Sequence, residues 1–373
     1  DAILGSGLSR PVEGWLGEII QQVNETVKTI IAVDIASGLF ADEHTEKNSI
    51  LPKQTFCFEL PKLAFFFTEN YARVGDWYVD TIHSSKSGIQ ETTTPYHYIT
   101  PEMIKETYRP RSKFDHKGTY GQAMLIVGSK GMMGAGLLAA KAALRSGVGL
   151  ATVHVPQCGY TITQTAIPEL MVSLDSHPNS FSEVPNLERY NAIGVGCGLG
   201  ESEETAKALK ELLESTDLPM VIDASALNII AHNNWHHLIP KDSIITPHHG
   251  EFRRLFGETS NDFERNNLQR AKAKELGILI ILKGAHSSIA CPDGNCYFNS
   301  TGNPGMATGG SGDVLTGIIT AFLTQGYRPL GAALLGIYLH GLAGDLAAEK
   351  YGYESMIAGD INDYLGKAFG KIN

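Results

Sequence analysis

From about residue 120 onward, short runs of consecutive apolar residues alternate with stretches whose apolar positions recur every three to four residues. The continuous runs at residues 123–127, 150–155, 192–195, 220–223, 243–246 and 278–282 predict strands buried on both faces. Between them, residues 135–146, 201–214, 226–231, 250–256 and 261–276 carry helical spacing, and three Gly- and Ala-rich helices follow from Gly310 onward. Strand alternating with helix predicts an α/β fold with a mostly parallel sheet flanked by helices, where ligands collect at the carboxyl ends of strands.

The first segment repeats the pattern on a smaller scale. A strand at residues 2–4, a Gly-Ser-Gly loop, an amphipathic helix at 12–27 and a buried strand at 29–34 read as a partial Rossmann-like α/β segment, continued by strands at 54–58 and 77–80. Residues 81–100 lose periodicity and turn to Ser, Thr, Lys and Gln, which reads as a linker. The expected division is residues 1–96 and residues 97–373.

Composition narrows the classes. With 43% hydrophobic and 19% charged residues in 373, the chain is globular, and a net charge of −10 opposes nucleic acid and anionic membranes as partners. The densest basic stretch, residues 105–117, reads as a solvated face. No apolar run approaches the roughly 18 residues of a membrane helix, so a soluble protein is expected. Five cysteines without a CxxC favour reduced thiols and a cytoplasmic location. The chain opens at Asp1 without Met or a signal-peptide pattern, so upstream residues are expected to be missing.

The sharpest chemical signal is NPGMATGGSGDVLTG, in which Gly309, Gly310 and Gly312 precede a helix carrying Asp313 in its first turn. Clustered glycines let backbone N–H groups converge, and the helix amino end adds positive potential, so the segment suits a phosphate. A carboxylate beside it can take a proton from a hydroxyl that attacks phosphorus. Lys283, Gly284, Ala285, His286 and Ser287 follow a predicted strand, where a lysine meets phosphate as a point charge and a glycine permits close backbone approach. The segment TPHHGE brings His248 and Glu251 to another strand end, the histidine for substrate contact and the glutamate as a helix cap. Asp223 ends a strand where a phosphate-side water, Mg²⁺ or a helix cap would each suit a carboxylate. In the first segment Asp1 and Asp34 end neighbouring strands beside small residues, an arrangement open to a cation with a polar ligand or to simple capping.

Taken in order, GTYGQAMLIVGS, GMMGAGLLAAKAALRSGVGLATV, GVGCGLG, VIDASALN, TPHHGE, LKGAHSSIA and NPGMATGGSGDVLTG resemble the ADP- or ATP-dependent NAD(P)H-hydrate dehydratases, a ribokinase-like family, over about residues 97–373. DAILGSGLSRPVEG, VDIASGL and ELPKLAFF resemble the latter half of the NAD(P)H-hydrate epimerase domain that precedes the dehydratase in many bifunctional proteins. The resemblance implies repair of hydrated NADH and NADPH: phosphoryl transfer from ADP or ATP, with Mg²⁺, to the 6-hydroxyl, then loss of phosphate. On this carry-over Asp313 is the base, Gly309, Gly310 and Gly312 cradle the phosphoryl group, and Lys283, Gly284, Ala285, His286 and Ser287 contact the nucleotide. Ser287 stands where the family often has Thr and keeps the hydroxyl. Ala135, Gly198, His248 and Asp313 correspond to hydrate-binding positions.

For the epimerase part the resemblance implies K⁺ at Asp1 and Ser37, a substrate loop of Gly5, Ser6, Gly7, Leu8, Ser9, Arg10 and Pro11, and a substrate contact at Asp34. An Asn-Asn-Gly-Gly-Asp-Gly loop and an early helix, usual upstream in that domain, are not found here, so epimerase activity of this chain is expected to be absent. Family analogy adds a homo-oligomer, a tetramer. Two other readings fit the phosphate loops: a ribokinase-like kinase acting on a vitamin alcohol, and a nucleotide sensor without catalysis.

Overall fold

The computed structural model describes Asp1–Asn373 apart from the side chains of Lys86 and Gln90. The chain divides into two compact units, Asp1–Tyr98 with Thr259–Leu268, and Ile99–Glu258 with Gln269–Asn373. Thr259–Leu268, within the expected second segment, holds the start of the helix Asp262–Leu276 and clusters with the first unit.

In the first unit α1 (Gly14–Thr26) precedes a parallel sheet of β1 (Ile31–Val33), β2 (Gln54–Phe58) and β3 (Asp76–Asp80), in that order. Period-two alternation sends Ala32, Thr55 and Cys57 inward and leaves Val33 and Phe56, paired in register, more exposed. Residues 2–4 do not form the expected strand. The ladder begins and stops at Asp1, whose ammonium donates to Ile31 O and whose carbonyl accepts from Val33 N, and the chain then bends away. The supposed linker also contains order, a short helix Lys86–Glu91 and a strand Tyr96–Tyr98.

The second unit supplies β4 (Gln122–Ile126), β5 (Leu150–Val155), β6 (Met171–Leu174), β7 (Ala192–Val195), β8 (Met220–Ile222), β9 (Ile244–Ile245), β10 (Leu279–Leu282), β11 (Ser288–Ala290) and β12 (Cys296–Phe298). Their lateral order is β12-β11-β10-β9-β8-β7-β4-β5-β6. Pairing is parallel from β10 through to β6 and antiparallel only in the β10-β11-β12 edge. Strand order reverses where β7 pairs with β4, so crossovers run off in opposite directions and leave a crevice at their carboxyl ends. The edge hairpin and β6 escaped the periodicity because each strand is only three or four residues long.

Helices α2 (Met133–Arg145), α3 (Glu203–Ser215), α4 (Ala224–Asn233), α5 (His249–Phe256), α6 (Ser311–Thr324), α7 (Pro329–Tyr351) and α8 (Ala358–Ile372) accompany the sheet. α7 corrects the expectation about apolar runs, since by length and composition it could cross a membrane. In this fold 72% of its most apolar window is buried, so that apolarity is used in packing against α6 and α8. The basic stretch is solvated as expected, with Lys105, Arg109, Arg111, Lys113 and Lys117 all exposed, while Arg109 lies over Tyr327 and Arg111 lies over Tyr120 and donates to Gly147 O.

α6 positions the chemistry. Of its 14 residues all but Gly312 and Asp313 are buried, so the helix runs through the core and opens at its amino end alone. Small residues make this possible: a Cβ on Gly317 would lie 2.0 Å from Ala139 O of α2, and one on Gly194 would lie 2.6 Å from Thr320 Oγ1. Replacing Gly317 with Ala gains ~1 kcal/mol of helix propensity. Forcing a methyl against a carbonyl that cannot move costs up to ~3 kcal/mol. Gly317→Ala is therefore expected to destabilise the protein by about 1–2 kcal/mol, seen as a lower denaturation midpoint; an equal or higher midpoint would contradict the packing.

Candidate active site at the amino end of a buried helix

Four loops at strand carboxyl ends converge on the start of α6. After β7 the chain turns through Gly196, φ +124°, where a Cβ would fall 1.9 Å from Asp223 O; only glycine allows this approach. The turn buries Cys197 completely and brings its thiol beside the Asp313 carboxylate. Asp223, at the end of β8, is 1% exposed. Its Oδ1 accepts from Lys283 Nζ at 2.7 Å and its Oδ2 from Thr316 Oγ1 at 3.0 Å. Each oxygen thus accepts one hydrogen bond, and the side chain makes no cap bond, so the helix-cap reading of Asp223 does not hold.

Lys283 leaves β10 with its backbone N–H donating to Pro247 O at 2.9 Å and pairs in a single parallel bridge with His248. Its ammonium lies 3.8 Å from Glu251 Oε2. Glu251 caps α5 as expected, accepting from His248 N at 2.8 Å. The His248 ring completes a reciprocal cap, Nδ1 accepting from Gly250 N at 2.9 Å, and stays half exposed. In the following turn Ser287 Oγ donates to Gly284 O at 3.2 Å; Gly284 and Ala285 are exposed, His286 and Ser287 half-buried.

The glycine segment is open where a ligand would enter. A Cβ on Gly309 would meet nothing within 4 Å, whereas one on Gly310, φ +93°, would lie 2.5 Å from Leu138 Cδ1. No side chain caps α6, so its first-turn N–H groups and macrodipole face the crevice. A Cβ on Gly312 would lie 3.2 Å from Lys283 Nζ and 3.4 Å from Asp223 Oδ2, which puts the ion pair directly against the helix start. Across the crevice Ser129 Oγ donates to Gly198 O at 2.9 Å, and Gly198, φ +65°, would bring a Cβ to 3.0 Å from that of Ala135. Gly198 therefore lies against Ala135 of α2, Gly310 against Leu138 of the same helix, and Gly312 against Lys283 and Asp223, with His248 bridged to Lys283.

Electrostatics follow from three carboxylates and one lysine in a partly desolvated place. Burial, aided by the negative charges of Asp223 and Glu251, raises Asp313 to about 6, against the Cys197 hydrogen bond and the Lys283 charge. Burial works against the Lys283 charge, yet Asp223 and Glu251 prevail and hold it above its usual value. Burial drives the Cys197 thiol well above the ordinary range, so it stays a donor. His340 donates from Nε2 to Ser311 O at 2.9 Å, and burial lowers it to about 4, so a neutral imidazole braces the helix start. Cys197 and Thr316 lie inside GVGCGLG and NPGMATGGSGDVLTG, but nothing local marks them out from the glycines and Asp313 beside them, and His340 lies in no such motif.

In the first unit the carboxylate of Asp1 accepts from Ser37 N at 2.7 Å and Ser37 Oγ at 2.6 Å, and Leu4 N donates to Ser37 Oγ at 2.9 Å. Asp34, φ +67°, is held elsewhere, by Phe58 N at 3.1 Å and by Lys62 Nζ. Gly5, Ser6, Gly7, Ser9, Arg10 and Pro11 are exposed, with Leu8 half-buried. The structure brings Asp1 and Ser37 together and pairs Asp34 with Lys62, which sequence reading had left inside an apolar motif.

A carboxyl whose folded value lies above its unfolded value stabilises the fold below the unfolded pKa and loses that contribution as pH rises through the folded one. For Asp313 that window runs from the ordinary aspartate value of 3.8 to about 6. Asp313→Asn, which cannot ionise, is expected to unfold at a higher temperature than the parent at pH 8, with the gap closing toward pH 4. Equal melting temperatures at pH 8 would contradict a desolvated Asp313.

A family profile described as NAD(P)H-hydrate dehydratase matches residues 123–367, and one described as YjeF-related protein N-terminus matches residues 1–64. The bifunctional NAD(P)H-hydrate repair enzyme of Moorella thermoacetica is 38% identical over 98% of this chain, which spans 71% of that protein. Among solved structures, the ADP/ATP-dependent NAD(P)H-hydrate dehydratase of Bacillus subtilis, co-crystallized with ATP/Mg²⁺, aligns with TM-score 0.64 and 31% identity over 74% of this chain and 99% of its own. A ribokinase-like superfamily protein of Enterococcus faecalis aligns with TM-score 0.67 and 27% identity over 75% of this chain and 98% of its own. With a ribokinase-like second unit and identity along nearly its whole length, the chain belongs to the family of bifunctional NAD(P)H-hydrate repair enzymes.

Proposed function

We propose that the second unit dehydrates the 6-hydroxylated hydrates of NADH and NADPH, with ADP or ATP as phosphoryl donor. The observation that carries this reading is Asp313, a base raised to about 6 in the first turn of an uncapped helix behind a glycine turn, in a chain of this family. Asp313 takes the proton of the 6-hydroxyl as its oxygen attacks the terminal phosphorus. The P–O bond to the rest of the nucleotide breaks, and AMP leaves if ADP is the donor. Hydroxide is a poor leaving group and phosphate a good one, so the ring-nitrogen lone pair expels the phosphate and loss of the C5 proton restores the 5,6 double bond. N–H groups at Gly309, Gly310 and Gly312 stabilise the charge on the transferring group, as preorganised dipoles do without reorganisation. Lys283, Gly284, Ala285, His286 and Ser287 contact the nucleotide, and Ala135, Gly198 and His248 the hydrate.

Mg²⁺ would arrive with the nucleotide, held chiefly by its phosphates and by water, and would neutralise phosphate charge; it needs no dedicated protein cage, and the described residues contain no group of three His, Cys, Asp or Glu side chains placed to hold a metal. No step is assigned to it. Relatives described as bifunctional speak against the expected absence of epimerase activity. In the first unit the same reading gives Asp1 and Ser37 to K⁺, a role their convergent oxygens suit, and Asp34 with the 5–11 loop to the hydrate during epimerisation. Interconversion of the two hydrate epimers with and without K⁺ tests that assignment; no K⁺ effect on activity or on cation binding removes it.

Incubation with the hydrate and ADP should restore the absorbance of the reduced nicotinamide. Asp313→Asn should lower turnover by ~10²–10⁴-fold while ADP affinity is largely kept. In the parent, turnover should fall as pH drops through about 6, where Asp313 gains its proton. Absence of recovery, with phosphorylation of a vitamin alcohol in its place, would overturn the dehydratase reading.

A further inference from the structure

Within that reading, we propose that Asp223 is a positioning residue: it fixes the Lys283 ammonium at the glycine turn and keeps it from pairing with the Asp313 base. The side chains are built for this. Asp223 is 1% exposed, and its two oxygens are divided between Lys283 Nζ at 2.7 Å and Thr316 Oγ1 at 3.0 Å. Thr316 is itself fully buried, one turn beyond Gly312 and Asp313 in α6, so the carboxylate is tied to the helix that carries the base.

The backbone is equally constrained. Asp223 N donates to Val195 O at 3.1 Å, its carbonyl presses on Gly196, and the next residue, Ala224, takes a φ of +50°. A left-handed alanine costs ~1–3 kcal/mol and persists only where surroundings over-determine it. The strain falls at the residue that aims Asp223.

Without this anchor the energetics change direction. Lys283 sits near the positive end of a helix dipole, a repulsive place for a cation unless a carboxylate or a bound phosphate compensates. Glu251, 3.8 Å from Nζ, and Asp313 are the carboxylates that remain, and only Asp313 stands at the helix start; a lysine paired with it would both block and weaken the base. The groups facing Asp313 are Cys197 after β7, Asp223 after β8, Glu251 in α5 and Lys283 after β10. Of these, Asp223 and Glu251 raise its proton affinity and Lys283 and Cys197 lower it.

Two substitutions separate position from charge. Thr316→Val keeps the Asp223 charge but loosens the carboxylate; kcat with ADP should fall about 3- to 10-fold with the acid limb of the pH profile unmoved. Asp223→Asn removes the charge as well; kcat should fall ~10- to 100-fold, and the acid limb should move below about 6, since a negative neighbour is lost and Lys283 is freed toward Asp313. Circular dichroism and melting establish that each variant is folded. Carbon-13 NMR of labelled aspartates in the ligand-free protein, with Asp313→Asn for assignment, reads the same downward shift without any substrate. That arm still decides the matter if the parent proves inert toward the hydrate, so failure of the dehydratase reading and failure of this proposal are distinguishable. Parent-like kcat in both folded variants, or an Asp313 titration unmoved in folded Asp223→Asn, would overturn it; if Asp223→Asn does not fold, Thr316→Val decides by kcat alone.

Discussion

Everything in the candidate site depends on one constraint: α6 is buried along its length and has no side chain to cap its amino end. A helix leaves unpaired N–H groups there, and burying them without partners is costly. The fold keeps that end facing a crevice and surrounds it with loops from β7, β8, β9 and β10. The glycines at 309, 310 and 312 keep the entrance clear of side chains, while Gly317 and Gly194 let the rest of the helix sink between α2 and the sheet.

The same burial sets the charge balance. Lys283 faces Asp223 and Glu251, and Asp313 adds a third carboxylate within the same partly desolvated space. With more negative than positive charge and little water, one carboxyl must hold its proton more tightly, and the one raised to about 6 is the one facing the open end. An excess of carboxylates argues against phosphate capture by simple ion pairing. Backbone dipoles at the helix start do that work, and Lys283 supplies a single placed charge.

Much of this was legible in the sequence because it depends on local pattern. Leu150–Val155 and Ala192–Val195 were readable to the residue, since runs this short, β-branched and bounded by turn signals fit a buried strand better than a helix. The glycine density before Asp313 was readable for the same reason, as few backbones other than a turn into a helix use it. Short strands at the sheet edge were not readable, because three residues carry no period. α7 was misjudged as well: its apolarity is interrupted by glycine and alanine, and only packing shows that these are contact points.

By itself the sequence determined the alternation of strands and helices, the glycine turns at the strand ends and the chemistry available at Asp313, Lys283 and His248. Only the tertiary structure decided what those groups touch. Asp223 and Thr316 stand 93 residues apart, and Asp223 and Lys283 stand 60 apart, so no local pattern records that one carboxylate joins them. The pairing of Asp1 with Ser37 and of Asp34 with Lys62 is of the same kind. Proton affinity at Asp313 is likewise a tertiary property, because desolvation and neighbouring charge arise only when separate loops are brought to one place.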